Sequence, residues 1–272
     1  MRKTITHTAI GLFFAVLIGL LSWPVVSNFI IRKNIKASIE GWNRQVEACG
    51  PETVRIHRNL AGWYNLNLTG ERPEEGFERA YGTIMDYGDI MGVLEIPTLG
   101  TTLPIYHGVS DSILEKGVGH LPETCFPLGE EGNHPVLVGK MELPGKRLFT
   151  EVSAVKEGDY FLIQIPGEVL AYQVEAAYRV PPEEVNGLGP VNGEDLCTVV
   201  AVSPRGGDNG CLLIQGRRTE EWIPAAETKV LTEQGGRLIF GIVGVFLAGA
   251  GPILAGILVN RKKRGLKPAE IG

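Results

Sequence analysis

The chain has 272 residues, a net charge of -5 and 44% hydrophobic residues, enough for one or two domains. With an acidic balance and no basic stripe, a nucleic-acid role is set aside. There is also no Gly-rich phosphate loop and no Cys/His set at zinc-ligand spacing, so phosphate chemistry and structural zinc are excluded and no cofactor is implied.

Two apolar ends flank a more polar middle. From Thr8 to Ile31 the run TAIGLFFAVLIGLLSWPVVSNFII carries no charge, and neither does LIFGIVGVFLAGAGPILAGILVN from Leu238 to Asn260. Each exceeds the roughly 20 residues that cross a hydrocarbon core as a helix, which predicts two transmembrane helices. The first, within residues 1–31, reads as an uncleaved signal-anchor, since it is long for a signal core and basic residues follow it; a cleaved signal peptide is the alternative. Arg261, Lys262, Lys263, Arg264 and Lys267, in the tail 261–272, follow the run 238–260 directly and mark the cytoplasmic side. A two-pass membrane protein of this orientation has both termini inside and residues 32–237 outside.

After the first run, Ile35, Ile39, Trp42 and Val46 recur at helical spacing, which predicts an amphipathic helix of about four turns ending near Gly50–Pro51 and packing on the domain. Residues from Pro51 to about Phe77 read as an irregular, lid-like connection, so the segment 32–90 is assigned to helix plus connection. From Met91 onward come short apolar runs separated by Gly and Pro: VLEIP, LPIYHG, PVLVGK, YFLIQIPG, VLAYQVEAAYRV, CTVVAV and CLLIQGRR. They predict an antiparallel barrel or sandwich over residues 91–222, followed by a linker over 223–237. The cysteines Cys49, Cys125, Cys197 and Cys211 could form disulfides outside the cell, but their spacing fixes no pairing.

Four stretches in this order resemble the sortase family, its class C (pilin-polymerising) type in particular. MGVLEIPTLGTTLPIYHG (Met91–Gly108) is similar to the family's opening strands, and LEKGVGHLPET (Leu114–Thr124) to its Leu-x-x-Gly-x-Gly-His segment. LFTEVSAVKEGDYFLIQIPGEVLAYQV resembles a central strand pair, and EDLCTVVAVSP with LLIQGRR the two closing strands. The resemblance covers about Met91 to Arg218. It implies a mainly β fold, a closed barrel of about eight strands with short helices, between the two membrane helices.

The resemblance also implies a site. Family members use a Cys nucleophile, a His acid/base and an Arg donor to cut and rejoin LPxTG-type sorting signals through an acyl-enzyme. In this sequence the histidine's place, in GKMELPGKRLF, holds Lys140. The nucleophile's place at the end of Thr198–Val202 holds Val202, and the arginine's place before Leu212 and Leu213 holds Cys211. Valine has no nucleophilic atom, lysine near its ordinary pKa is a cation at neutral pH, and a thiol lacks the five fixed donors of guanidinium. The expectation is a catalytically inactive sortase-like protein that docks pilin or LPxTG-type peptides, or assists an active sortase. Two alternatives remain: a working transpeptidase rearranged around Cys211 and Lys140, in which a lysine lowers the thiol's pKa, and a structural relic without ligand.

Other candidates are read as scaffold. Cys197 lies five positions before Val202, so in a regular strand it faces the other side, towards the core. His107 and His120 belong to structural motifs, and His57 and His134 carry no signal. LPETC (Leu121–Cys125) imitates a sorting signal but lies inside a fold-forming segment. The Asp-Pro-aromatic anchor of a class C lid is absent between Pro51 and Asp89, leaving Trp63 and Tyr64 as the aromatics able to pack there.

Overall fold

The computed structural model describes residues 2–69, 80–141, 149, 152–203 and 210–221. Eight strands form a closed barrel: β1 (Ile90–Ile96), β2 (Thr101–His107), β3 (Val118–His120), β4 (Val136–Lys140), β5 (Tyr160–Ile165), β6 (Glu168–Val180), β7 (Leu196–Val202) and β8 (Cys211–Arg218). Their order is β1-β2-β3-β4-β7-β8-β6-β5, and β5 returns to β1. Seven of them are the apolar runs read from the sequence. The eighth, β3, is three residues long, too short for any period to show.

The barrel is not purely antiparallel. β2–β3 and β4–β7 are parallel pairs. A parallel pair needs a crossover. The first uses the short helix α2 (Asp111–Leu114), and the second spans the whole β5–β6 excursion. Strand period 2 then sorts the side chains. Leu137 of β4, Cys197, Val199 and Ala201 of β7, and Leu212 and Ile214 of β8 join one core cluster. Val136, Val138, Val200, Cys211 and Leu213, on the opposite face of the same strands, form a second cluster with Leu114, Val180 and Val185.

One long helix, α1 (Arg2–Thr69), precedes the barrel, interrupted at Gly50 (φ 75°), a left-handed conformation that glycine adopts without a Cβ clash. As the spacing predicted, Trp42 is buried and Ile35, Ile39 and Val46 pack against the core. The irregular connection expected from Pro51 is instead helical through Thr69. Proline lacks only a donor that the first helical turn does not use, so Pro51 starts a helix rather than preventing one. The face it buries is spaced at Val54, Ala61, Tyr64 and Leu68. Asn65 locks this stretch to the barrel: its Nδ2 donates to Phe126 O (3.0 Å) and Asn133 Oδ1 (3.2 Å), while its Oδ1 accepts from Phe126 N (2.7 Å).

The apolar run from Thr8 to Ile31 lies within α1, where Phe13, Leu20, Leu21, Trp23 and Phe29 are exposed. Among the described residues no helix is long and apolar enough to cross a membrane. The linker 223–237, the second apolar run 238–260 and the basic tail 261–272 lie outside the described residues.

Asn65→Ala removes three hydrogen bonds and leaves the Phe126 N–H and C=O buried without that partner. Denaturant unfolding should show a loss of about 2–3 kcal/mol.

Candidate active site

Parallel pairing of β4 with β7 brings their C-terminal ends to the same mouth of the barrel, and antiparallel pairing of β7 with β8 brings the start of β8 there too. Lys140 pairs with Val202, and Val202 with Cys211. The Met141 N–H donates to Val202 O at 2.9 Å and extends the β4–β7 ladder one residue further. The three residues thus stand in one row across three adjacent strands. They continue the strand face that carries Val138, Val200 and Leu213.

Each side chain has a defined surrounding. Lys140 Nζ donates to Asp111 Oδ1 at 2.6 Å. Asp111 opens α2, and the lysine's hydrogen bond and charge hold its exposed carboxyl below the usual carboxylate range. Cys211 is 3% exposed. Val202 is half-buried on the rim of the second cluster, with Val109, Ile113, Leu121 and Leu188. The floor is therefore aliphatic, and the one ammonium at the row is engaged with the α2 carboxylate.

The wall carrying Val185 and Leu188 belongs to the β6–β7 connection, and His134 holds it in place. Without a signal in the sequence, this histidine is buried, with Nδ1 2.8 Å from Gly189 O and Nε2 2.8 Å from Thr198 Oγ1. A carbonyl only accepts, so Nδ1 carries the proton. Nε2 of the neutral ring then accepts from the threonine hydroxyl. Burial pulls the His134 pKa down, in keeping with this neutral form.

His57, His107 and His120 are equally engaged. His120 is fully buried; its Nε2–H donates to Cys125 O at 2.8 Å, and its ring stacks on Phe126 at 5.1 Å. Tyr81 hydroxyl sits 3.1 Å from its Nδ1, donates to His120 O at 2.9 Å and accepts from Gly108 N at 2.9 Å. His107 Nε2–H donates to Ile84 O at 2.6 Å, and His57 Nδ1 accepts from Met85 N at 3.0 Å. None of the four stands in the row of Lys140, Val202 and Cys211.

No disulfide joins any of the four cysteines. Cys197 faces the main core, as its five-residue offset from Val202 requires, and burial pushes its thiol pKa well up. LPETC is a turn rather than an extended peptide: Thr124 Oγ1 donates to Leu121 O at 2.7 Å, Glu123 has a positive φ of 66°, and Thr124 and Cys125 are buried while Pro122 and Glu123 are exposed. Tyr64 is buried edge-on against Phe126 at 5.0 Å, and Trp63 packs partly buried beside it on α1.

This architecture has known relatives. The sortase domain family matches residues 94–216. Sortase C-1 of Actinomyces oris is 35% identical in sequence, with a TM-score of 0.57, over 62% of this chain and 99% of that one. The chain belongs to the sortase family. Its structural neighbours are class C sortases: sortase C from Clostridium perfringens SM101 is 31% identical (TM-score 0.58, 68% of this chain and 99% of that one). Sortase C1 of Streptococcus agalactiae is 28% identical (TM-score 0.61, 67% and 98%). Among curated proteins, Sortase D of Bacillus subtilis (strain 168) is 30% identical over 87 residues, which is 32% of this chain and 41% of that protein. The family fold is thus a closed eight-strand barrel here too, and residues 94–216 span the row from Lys140 to Cys211.

Burial lowers the His120 pKa to about 4 from an ordinary 6.5, with the Cys125 hydrogen bond opposing. Between those values the unfolded chain binds a proton there and the folded chain does not. Stability from this group is full above pH 6.5 and is lost as pH falls towards 4, by about 3 kcal/mol. Unfolding measured at pH 7 and pH 4.5 should show the drop, and His107 and His134, also lowered by burial, add to it with the same sign.

Proposed function

We propose that this sortase-family chain is a cell-surface membrane protein without transpeptidase chemistry, with a docking or accessory role in the assembly of pilin or other LPxTG-type surface proteins. The observation that carries the reading is the row at the barrel mouth. The position between Lys140 and Cys211 is an isopropyl group, and no acyl-enzyme can form on carbon. Losing the members of a catalytic unit together removes nearly all of its rate.

The rearranged reading asks Lys140 to activate Cys211. The lysine ammonium is hydrogen-bonded to Asp111 instead, and Cys211 is buried in the second hydrophobic cluster. Both features favour the inactive reading. Docking of an extended peptide needs backbone hydrogen bonds and apolar contacts rather than a nucleophile, and the half-buried rim of Val109, Ile113, Leu121, Leu188 and Val202 supplies apolar surface.

Membrane anchorage is part of the same proposal. The uncharged run Thr8–Ile31, the exposed Phe13, Leu20, Leu21, Trp23 and Phe29 of α1, the uncharged run Leu238–Asn260 and the basic residues Arg261–Arg264 support a two-pass protein with both termini in the cytoplasm.

The test is a peptide-cleavage assay on the full-length chain in detergent, with a thiol-reactive probe applied to the chain and to Cys211→Ala. No cleavage above background, with equal labelling of both forms at exposed Cys49, is expected. Cleavage by the parent and its loss in Cys211→Ala would establish the rearranged site instead.

A further inference from the structure

The barrel mouth opposite the row of Lys140, Val202 and Cys211 carries a buried charge arrangement that the proposed function does not use. Asp195, just before β7, is 8% exposed. Its Oδ1 accepts from Tyr172 hydroxyl at 3.1 Å. Its Oδ2 has no hydrogen-bond partner among the described residues, and neither has Nε of Arg218, 3.8 Å away at the end of β8. Arg218 Nη1 donates to the carbonyls of Thr219 (2.8 Å) and Ala171 (3.3 Å), and Nη2 lies 3.8 Å from Glu168 Oε1. The guanidinium therefore stands equally far from two carboxylates and is hydrogen-bonded to neither.

Glu168 leads onward to the helix. Its other oxygen accepts from Arg58 Nη1 at 2.8 Å, while Arg58 Nη2 donates to Leu128 O at 3.0 Å. Arg58 belongs to the 51–69 stretch of α1 and also approaches Glu130 at 3.9 Å.

We propose that Asp195 is a proton-binding site that sets the position of Arg218: neutral Asp195 leaves the guanidinium to Glu168, and ionised Asp195 draws it inward. A buried carboxyl with one hydrogen-bond donor and a guanidinium no nearer than 3.8 Å is a poor host for a full charge. The groups around it are Tyr172 and Glu168 of β6, Arg218 of β8, Glu130 and Cys125 of the loop before β4, and Cys197 of its own strand. Burial dominates and pushes the Asp195 pKa up to about 7, the Tyr172 hydrogen bond and the Arg218 charge oppose it, and Glu130 and Glu168 add to it. The folded chain thus keeps a proton that the unfolded chain loses near 3.8. Stability from this group is present at low pH and falls as pH rises from about 4 to about 7, opposite in sign to the histidines. When Arg218 turns to Asp195, Glu168 is left to Arg58 alone. The attraction holding the 51–69 stretch to the barrel then increases.

The experiment is NMR on the full-length chain in detergent micelles, with ¹³C-labelled Asp carboxyls and ¹⁵N-labelled Arg side chains. The Asp195 carboxyl should titrate with a midpoint near 7, and the Arg218 Nε resonance should move with the same midpoint. D195N should abolish the movement of Arg218. E168Q, which removes the competing charge, should keep the movement and lower the midpoint. An Asp195 midpoint in the ordinary carboxylate range would overturn the proposal, as would an Arg218 resonance that stays fixed from pH 5.5 to 8.5 while Asp195 titrates.

Discussion

The parallel contact between β4 and β7 is the constraint on which the site depends. An antiparallel contact would put Lys140 and Val202 at opposite mouths of the barrel. The parallel ladder Val136–Thr198 through Lys140–Val202 sets them side by side, and the antiparallel return of β8 adds Cys211. The pairing also gives each strand two faces with separate roles. One fills the barrel with Leu137, Val199 and Leu212, and the other presents Val138, Val200 and Leu213 beneath the β6–β7 connection.

Polar locks hold the connecting segments against this frame. His134 ties the β6–β7 connection to β7 through Gly189 and Thr198, and Asn65 ties the second stretch of α1 to the loop at Phe126. Tyr81 and His120 do the same for the segment before β1. Asn65 and His134 in this way satisfy the Phe126 and Gly189 backbone groups of connecting loops, which is why they carry weight beyond their number. His107, His120 and His134 serve the architecture, and burial lowers the pKa of each.

Much of this was legible in the sequence, and the parts that were not have identifiable causes. Strand runs such as YFLIQI and LCTVVAV announce themselves as short apolar stretches rich in β-branched and aromatic residues between turns, and the Ile35–Ile39–Trp42–Val46 spacing marks the packed face of α1. Strand direction is a long-range property: nothing local in PVLVGK says that its partner, some sixty residues on, runs parallel. Gly50–Pro51 looks like a stop in the sequence, although after a left-handed glycine the proline begins a helix whose packed face is spaced at Val54, Ala61, Tyr64 and Leu68. His134 carried no signal because its partners lie 55 and 64 positions away. The row of Lys140, Val202 and Cys211 was reached through family resemblance, and the barrel register places the three residues next to one another.

Under the proposed function, the strand row at the mouth keeps the family register while Lys140, Val202 and Cys211 replace its reacting groups. The most direct measurement is intact-protein mass after incubation with an LPxTG-type peptide, comparing the parent with K140H/V202C/C211R. The account requires an acyl adduct on the triple variant and none on the parent. An adduct on the parent that disappears in Cys211→Ala, or a folded triple variant that never acquires one, would contradict it.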